Sequence, residues 1–185
     1  GKIKAMVGGR GSLGSRLYNR ALNPRQPGSS IKPLAVYGAA LQKSFDYAEK
    51  GETWPLVDYK HDKQGVKGYG DYLTASSTIV DEQMTFNGRV WPKNASNSFS
   101  GPVSMRRGLQ QSINTVAVKI QLQVGNEYSA EMLKKFGLTT IVTKGSTSDM
   151  NSAALALGGL TNGAIPLEMA QAYATFANEG LMPEA

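Results

Sequence analysis

The sequence contains no cysteine and only one histidine, His61. The absence of cysteine excludes a disulfide framework and any thiolate metal site. A Ser-His-Asp triad would have to use His61, which lies in a polar stretch at residues 58–63 that is typical of a solvated loop. We therefore predict no catalytic role for His61, and neither a metal nor a cofactor.

Charged residues and long hydrophobic runs are also scarce. Charged residues make up 18% of the chain and never form a run of five like charges, although the net charge is +6. Lys and Arg are not interleaved with aromatic residues, which indicates a mildly basic globular surface and no nucleic-acid partner. No apolar run approaches the roughly 20 residues of a membrane span, and no signal peptide opens the chain. We therefore expect any membrane anchor or export signal to lie outside these residues.

The length and the apolar content fit one domain. With 185 residues, 41% of them hydrophobic, the chain is long enough to bury a sizeable core. Residues 2–7 alternate imperfectly, which predicts a strand. Residues 50–100 are rich in Gly, Asp, Asn, Ser and Thr, which predicts irregular structure with short extended pieces. Apolar spacing and helix-end signals predict helices at residues 33–42, 104–124, 127–136, 152–157 and 166–177.

A glycine pattern, G-x-G-x-x-G, occurs at residues 9–14. After a strand and before a helix, this pattern cradles a pyrophosphate. No convincing helix follows it here, and no acidic residue that could bind a ribose appears until Asp46. We interpret the pattern as a flexible turn.

The segment from Pro27 to Pro33 contains the only serine that is followed by a lysine three residues later, Ser29 and Lys32. Positions i and i+3 share one face of a helix, so Lys32 could take the proton that makes the Ser29 hydroxyl a nucleophile. Pro33 is tolerated only in a first helical turn, which places Ser29 at the positive end of a helix. The alternative is that Ser29 or Ser30 merely caps the helix.

A second pattern, S-x-N, is formed by Ser112 and Asn114. Residues two apart in a regular helix point roughly 200° away from each other. Both side chains can therefore face one cleft only if the helix breaks, and we predict an interruption between about Gln111 and Thr115. The alternative is a pair of polar residues on an exposed helix.

Together, these patterns resemble the penicillin-binding proteins, specifically the bifunctional class A type. The similarity covers nearly the whole chain, and its segments have the order and the spacing of that family. The segments that carry it are Ala5–Gly9, Tyr18–Ala21, Arg25–Pro33, Trp91–Asn94, Gly101–Arg106, Ser112–Ala117, Leu155–Gly159, Pro166–Ala170 and Ala172–Asn178.

The resemblance implies a role for each candidate residue. Ser29 would attack a D-Ala-D-Ala stem peptide and form an acyl-enzyme, with Lys32 as the general base. Ser112 would relay protons to or from the leaving and attacking amines. Asn114 would bind the substrate's peptide and orient Lys32. A β-lactam would mimic the dipeptide and stay on Ser29.

The family's third motif, K-T-G, is absent from the sequence. Lys144 begins a similar stretch, but it precedes Leu155–Gly159, whereas the family's motif follows the helix that begins at Pro166. The resemblance therefore implies an α+β fold of which residues 1–185 form the helix-rich part, a partial β-lactamase/transpeptidase-like domain that lacks its C-terminal sheet strands. We expect little activity from this part alone. The whole bacterial protein would be extracytoplasmic and anchored to the membrane outside this chain.

Three other functions stay open from the sequence. A serine β-lactamase shares this fold, but the class A type needs a Glu in an E-x-x-L-N motif, which is absent. A non-catalytic β-lactam sensor shares it too, although the class A segments argue against it. A binding module for an anionic wall polymer is suggested only by the net charge. The behaviour of a penicillin adduct separates these classes.

Overall fold

The computed structural model describes residues 3–11, 18–60 and 62–183. His61 and the second half of the glycine pattern, Ser12–Gly14, lie outside the described residues.

The helices largely follow the prediction. Residues 166–177 and 152–157 are helical with the predicted bounds, and the helix predicted at 33–42 continues to Glu49. The helix predicted at 104–124 is divided in two. The α-helices are α1 (Ala39–Glu49), α2 (Met105–Gln110), α3 (Asn114–Val124), α4 (Asn126–Lys135), α5 (Ser152–Leu157) and α6 (Pro166–Ala177).

The segment before α1 changes its helical geometry twice. Gly28–Ile31 form a 3₁₀ turn, and Pro33–Gly38 form a π-helical stretch that continues directly into α1. Pro33 has no N–H to donate to the carbonyl of Ser29, four residues earlier. The N–H of Lys32 donates to that carbonyl instead, which is the tighter i to i+3 bond of a 3₁₀ helix.

The core lies around α3. Nine of its eleven residues are buried, as expected for a helix with neighbours on every side. It packs against α1, α4, α5 and the π-helical stretch. Lys119 is buried in this helix. Its charge is compensated there, because its ammonium lies 2.7 Å from the Asp62 carboxylate and 3.1 Å from that of Glu82. Tyr69 also donates a hydrogen bond to Asp62.

The described strands are short and form two separate pairs. β1 (Thr78–Asp81) pairs antiparallel with β4 (Gly101–Ser104), with Thr78 opposite Ser104. β2 (Thr85–Phe86) and β3 (Arg89–Val90) form a hairpin. Its Asn87-Gly88 turn has positive φ at both residues, as the common two-residue hairpin turn requires.

The strand predicted at residues 2–7 is wrong over its described part. Residues 3–7 are in no strand and have no backbone partner among the described residues. Ile3, Met6 and Val7 are instead exposed. An alternating pattern forms a strand only where a neighbouring strand can accept its hydrogen bonds. The helices and the two short strand pairs together make the described fold α+β and rich in helix, as predicted.

Candidate active site

Lys32 lies at the centre of the predicted site. It is buried at the end of the 3₁₀ turn, and its amine donates hydrogen bonds to three acceptors. Nζ lies 2.8 Å from the carbonyl oxygen of Ser112, 3.0 Å from its hydroxyl and 2.6 Å from Oδ1 of Asn114. An ammonium has three N–H donors, so the acceptors match it in number. The structure thus joins Lys32 to both polar residues of the S-x-N pattern.

Ser29 lies three residues before Lys32 and is exposed. Side chains three apart eclipse each other in a 3₁₀ helix, so Ser29 and Lys32 share one side of the turn. The expectation from the spacing, that the Ser29 hydroxyl lies within hydrogen-bond reach of the Lys32 amine, stays a prediction. Among the described residues, the amine makes no hydrogen bond to that hydroxyl. The reason is that the S-x-N segment takes all three N–H groups of Lys32.

The helix interruption predicted at the S-x-N pattern is confirmed. Ser112 has a φ of 53°, and Ile113 is extended, between α2 and α3. The N–H of Ile113 donates to the carbonyl of Gly108, and the N–H of Ser112 donates to that of Leu109. These two bonds are those of a Schellman motif, which usually has glycine at the left-handed position. A serine in that conformation costs about 1–3 kcal/mol, a strain that is common at functional sites.

The segment just before Ser29 is held by a distant part of the chain. Arg25 and Ala164 exchange backbone hydrogen bonds of 2.9 and 2.7 Å in an antiparallel bridge. The side chain of Gln26 donates to the carbonyl oxygen of Leu160. These contacts fix the entry of the chain into the 3₁₀ turn.

Gly158, at the end of α5, fits against the turn itself. Its φ is 76°, and a Cβ added there would lie 2.2 Å from the carbonyl oxygen of Gly28. On the other side, the Tyr173 hydroxyl of α6 donates a 2.7 Å hydrogen bond to the carbonyl oxygen of Ser30. Sequence reasoning identified the Gly158-Gly159 pair only as part of a resemblance. A glycine pair after an apolar helix is a recognisable helix end, but its contact with residue 28 is not local.

A family model for the penicillin-binding protein transpeptidase domain matches residues 71–184. The chain belongs to this family. The match includes Ser112 and Asn114 and begins after Ser29 and Lys32. Ser29 and Lys32 are covered instead by the sequence alignments to individual relatives, which extend over the whole of this chain.

The relatives are penicillin-binding proteins of the class A type. Penicillin-binding protein 1A of Clostridium botulinum is 35% identical over 190 aligned residues, which cover 100% of this chain and 20% of that protein. The solved penicillin-binding protein 1A of Haemophilus influenzae is 32% identical with a TM-score of 0.61, covering 90% of this chain and 20% of that one. The chain therefore spans about a fifth of the length of these relatives.

A more distant structure shares the fold. Penicillin-binding protein A of Mycobacterium tuberculosis, solved as a ceftriaxone acyl-enzyme complex, is 22% identical with a TM-score of 0.62. The alignment covers 91% of this chain and 35% of that one. The helix-rich α+β architecture is thus the fold of penicillin-binding transpeptidase domains.

One cavity lies away from Ser29, Lys32, Ser112 and Asn114. A groove of about 560 Å³ is lined by α1, α4 and α6, with Leu41, Phe45, Phe136, Phe176 and Met182 among its apolar side chains. None of Ser29, Lys32, Ser112 and Asn114 lines it. The candidate site is the cluster around Lys32, because its hydrogen bonds join the lysine of the first pattern to the serine and asparagine of the second.

The described ranges contain no group of three acidic or histidine side chains that could hold a metal ion. Within the same ranges, no helix is both long and apolar enough to cross a membrane.

Proposed function

We propose that this chain carries the nucleophile and the general base of a serine D,D-transpeptidase, which cross-links peptidoglycan stem peptides and is acylated by β-lactams. The observation that carries the proposal is the set of three hydrogen bonds from Lys32 to Ser112 and Asn114. They join the first two family motifs into one site at the turn that presents Ser29.

Acylation begins when the Ser29 hydroxyl oxygen attacks the carbonyl carbon between the two D-alanines. Its proton passes to the neutral amine of Lys32, and the carbonyl becomes a tetrahedral oxyanion. The intermediate collapses, the C–N bond breaks, and the leaving D-alanine amine takes a proton through Ser112. An acceptor amine of a second stem peptide then attacks the ester carbonyl carbon and forms the new amide bond. The C–O bond to Ser29 breaks, and a proton of the amine returns through Ser112 and Lys32 to the Ser29 oxygen. Asn114 hydrogen-bonds the substrate's peptide through its side-chain amide.

The surroundings of Lys32 suit a lysine that changes its protonation state. Burial lowers the pKa of its amine from 10.5 to about 8. In the charged form, its three N–H groups donate hydrogen bonds to Ser112 and Asn114. A neutral amine keeps two of them and has one lone pair, to which the Ser112 hydroxyl can turn and donate. The hydroxyl can therefore pass a proton between Lys32 and the reacting amine.

The lowered pKa predicts how acylation depends on pH. Only the neutral amine can accept a proton, so the rate constant should rise with pH, reach half its maximum near pH 8 and then level off. Below that midpoint, it should fall by about tenfold per pH unit. Stopped-flow acylation of the full-length protein by a fluorescent penicillin, from pH 6 to pH 10, measures this profile. A rate that stays constant over that range would show that no group with such a pKa acts as the base.

The oxyanion requires two aligned donors, and loss of one costs about 10²–10³ in rate. The backbone N–H of Ser29 has no acceptor among the described residues and is available as the first donor. We propose that the second donor and the K-T-G motif come from another part of the full-length protein. Residues 1–185 would then be part of a transpeptidase domain, in a protein anchored outside the cytoplasm by a segment that is not in this chain.

The proposal is tested against its rivals by incubating the full-length protein with penicillin and, separately, with stem peptides and an acceptor amine. A transpeptidase forms a long-lived penicilloyl adduct and also produces the cross-linked peptide. A β-lactamase returns unmodified protein and hydrolysed penicillin. A sensor keeps the adduct without making the cross-link, and a binding module forms no adduct. Each of the last three results would contradict the proposal.

A further inference from the structure

The N-terminus of α3 is capped by a residue twenty positions earlier. Ile113 precedes the helix and has no side-chain group that could accept its first N–H bonds. Oδ1 of Asn94 accepts them, from the N–H of Asn114 at 3.1 Å and from that of Thr115 at 3.3 Å. Asn94 therefore acts as the cap that Ile113 cannot be.

The amide of Asn94 has a fixed orientation. Its nitrogen donates a 2.8 Å hydrogen bond to Oδ1 of Asp81 and a 3.0 Å bond to the carbonyl oxygen of Ser98. A flipped amide would direct its N–H groups at the N–H groups of α3, so all four bonds would fail. Asp81 thus determines which end of Asn94 faces the helix.

Asp81 ends β1 and is 1% exposed. Besides Asn94, its carboxylate accepts hydrogen bonds from the hydroxyl of Thr115 and from the backbone N–H of Ser100, the latter at 2.8 Å. Among the described residues, no Lys or Arg is within salt-bridge distance of it. A buried carboxylate without a cation is costly unless its donors and a helix N-terminus stabilise it, as they do here.

Two consecutive residues, Lys93 and Asn94, hold Asn114 from two sides. Asn94 binds its backbone N–H, and the carbonyl oxygen of Lys93 accepts a 2.7 Å bond from its side-chain nitrogen. The side-chain oxygen of Asn114 is thereby directed to Lys32, at 2.6 Å. A continuous chain of hydrogen bonds leads from Asp81 through Asn94 and Asn114 to the amine of Lys32.

We infer that Asp81 and Asn94 are positioning residues for acyl transfer, which hold the start of α3 so that Asn114 and Ser112 face Lys32. The inference rests on the proposed function, since it gives these two residues a role in that reaction. Neither residue touches the predicted nucleophile. Loss of a partner that orients a catalytic group typically costs about 10–100-fold in activity.

The test compares two substitutions that each remove one buried carboxylate. In Asp81→Asn, an amide nitrogen must face either the N–H of Ser100 or the amide nitrogen of Asn94, so one donor pair repels. Asp62→Asn is the matched control, because Asp62 is also buried and also anchors α3, through Lys119. Both full-length variants are checked for folding by circular dichroism and thermal unfolding, and acylation by a fluorescent penicillin is measured at saturation.

We expect Asp81→Asn to lower the saturating acylation rate constant at least about tenfold and to leave the penicillin concentration for half-saturation within about threefold. Asp62→Asn should acylate at the wild-type rate per folded molecule, even if its melting temperature falls further. Thr115→Val, which removes a donor to Asp81, should also acylate slowly, whereas Thr115→Ser should keep the wild-type rate.

An Asp81→Asn rate within twofold of wild type would overturn the inference, and so would an equal loss in Asp62→Asn. The proposed function fails by a different result, namely a wild-type protein that is not acylated. The two failures are therefore distinguishable in one set of measurements.

Discussion

Replacement of Lys32 by alanine is expected to slow the acylation of Ser29 at least about 100-fold, the lower end for loss of a positioned general base. The substitution removes the amine that would take the proton of Ser29. It also leaves the Ser112 carbonyl and Asn114 Oδ1 without their donor. Acylation kinetics of the full-length protein with a fluorescent penicillin measure the loss.

Lys43→Ala is the matched control for this prediction. Lys43 lies on α1, in the same continuous helical segment, and burial lowers its pKa as well. Its amine donates to the carbonyl oxygen of Val124 and lies over the ring of Trp54, away from the S-x-N segment. We expect Lys43→Ala to lose stability and to keep its acylation rate per folded molecule. A near wild-type rate in Lys32→Ala would mean that another group takes the proton.

Replacement of Gly158 by alanine should produce the second large effect, on both stability and acylation. The new Cβ would lie 2.2 Å from the carbonyl oxygen of Gly28 and 2.6 Å from its nitrogen. Backbone atoms cannot yield as a flexible side chain does, so the turn that presents Ser29 must move. A displacement of about 1 Å costs up to about 10²-fold in rate. Overpacking adds about 1–3 kcal/mol of destabilisation to the cost of a left-handed alanine.

Gly51→Ala separates the cost of a left-handed alanine from the cost of the clash with Gly28. Gly51 has a φ of 68°, close to that of Gly158, and a Cβ there meets no atom within 4 Å among the described residues. It should lose only the roughly 1–2 kcal/mol of a left-handed alanine and acylate normally. Thermal unfolding and acylation of both full-length variants give the comparison. If Gly158→Ala behaved like Gly51→Ala, the contact between α5 and the 3₁₀ turn would have no role in presenting Ser29.

The sequence predicted the local features of the site because their causes are local. Pro33 restricts where the helix can begin, and the geometry of Ser112 and Asn114 requires a broken helix. Both features are present in the structure. The strand at residues 2–7 failed for the opposite reason, since its existence depends on a partner that the pattern does not contain.

The supports of the site could not be predicted in this way. Asn94 caps a helix twenty residues later, and Gly158 packs against Gly28 across 130 positions of the chain. Neither contact leaves a periodic signal, because tertiary packing alone brings the partners together. The spacing of Ser29 and Lys32 showed which side chains share a face but not which acceptors the amine bonds, and in the structure those acceptors belong to Ser112 and Asn114.

The central claim is that Ser29 is the acylated nucleophile, and mapping of a penicillin adduct tests it most directly. The full-length protein is incubated with penicillin, digested, and sequenced by tandem mass spectrometry, with Ser29→Ala and Ser30→Ala treated in parallel. Ser30 is the matched control because it is adjacent and, among the described residues, its hydroxyl donates to the carbonyl oxygen of Pro27 alone. We predict one penicilloyl group on Ser29 in wild type and in Ser30→Ala, and none in Ser29→Ala. An adduct on Ser112 or Ser30, or an adduct that persists in Ser29→Ala, would contradict this account.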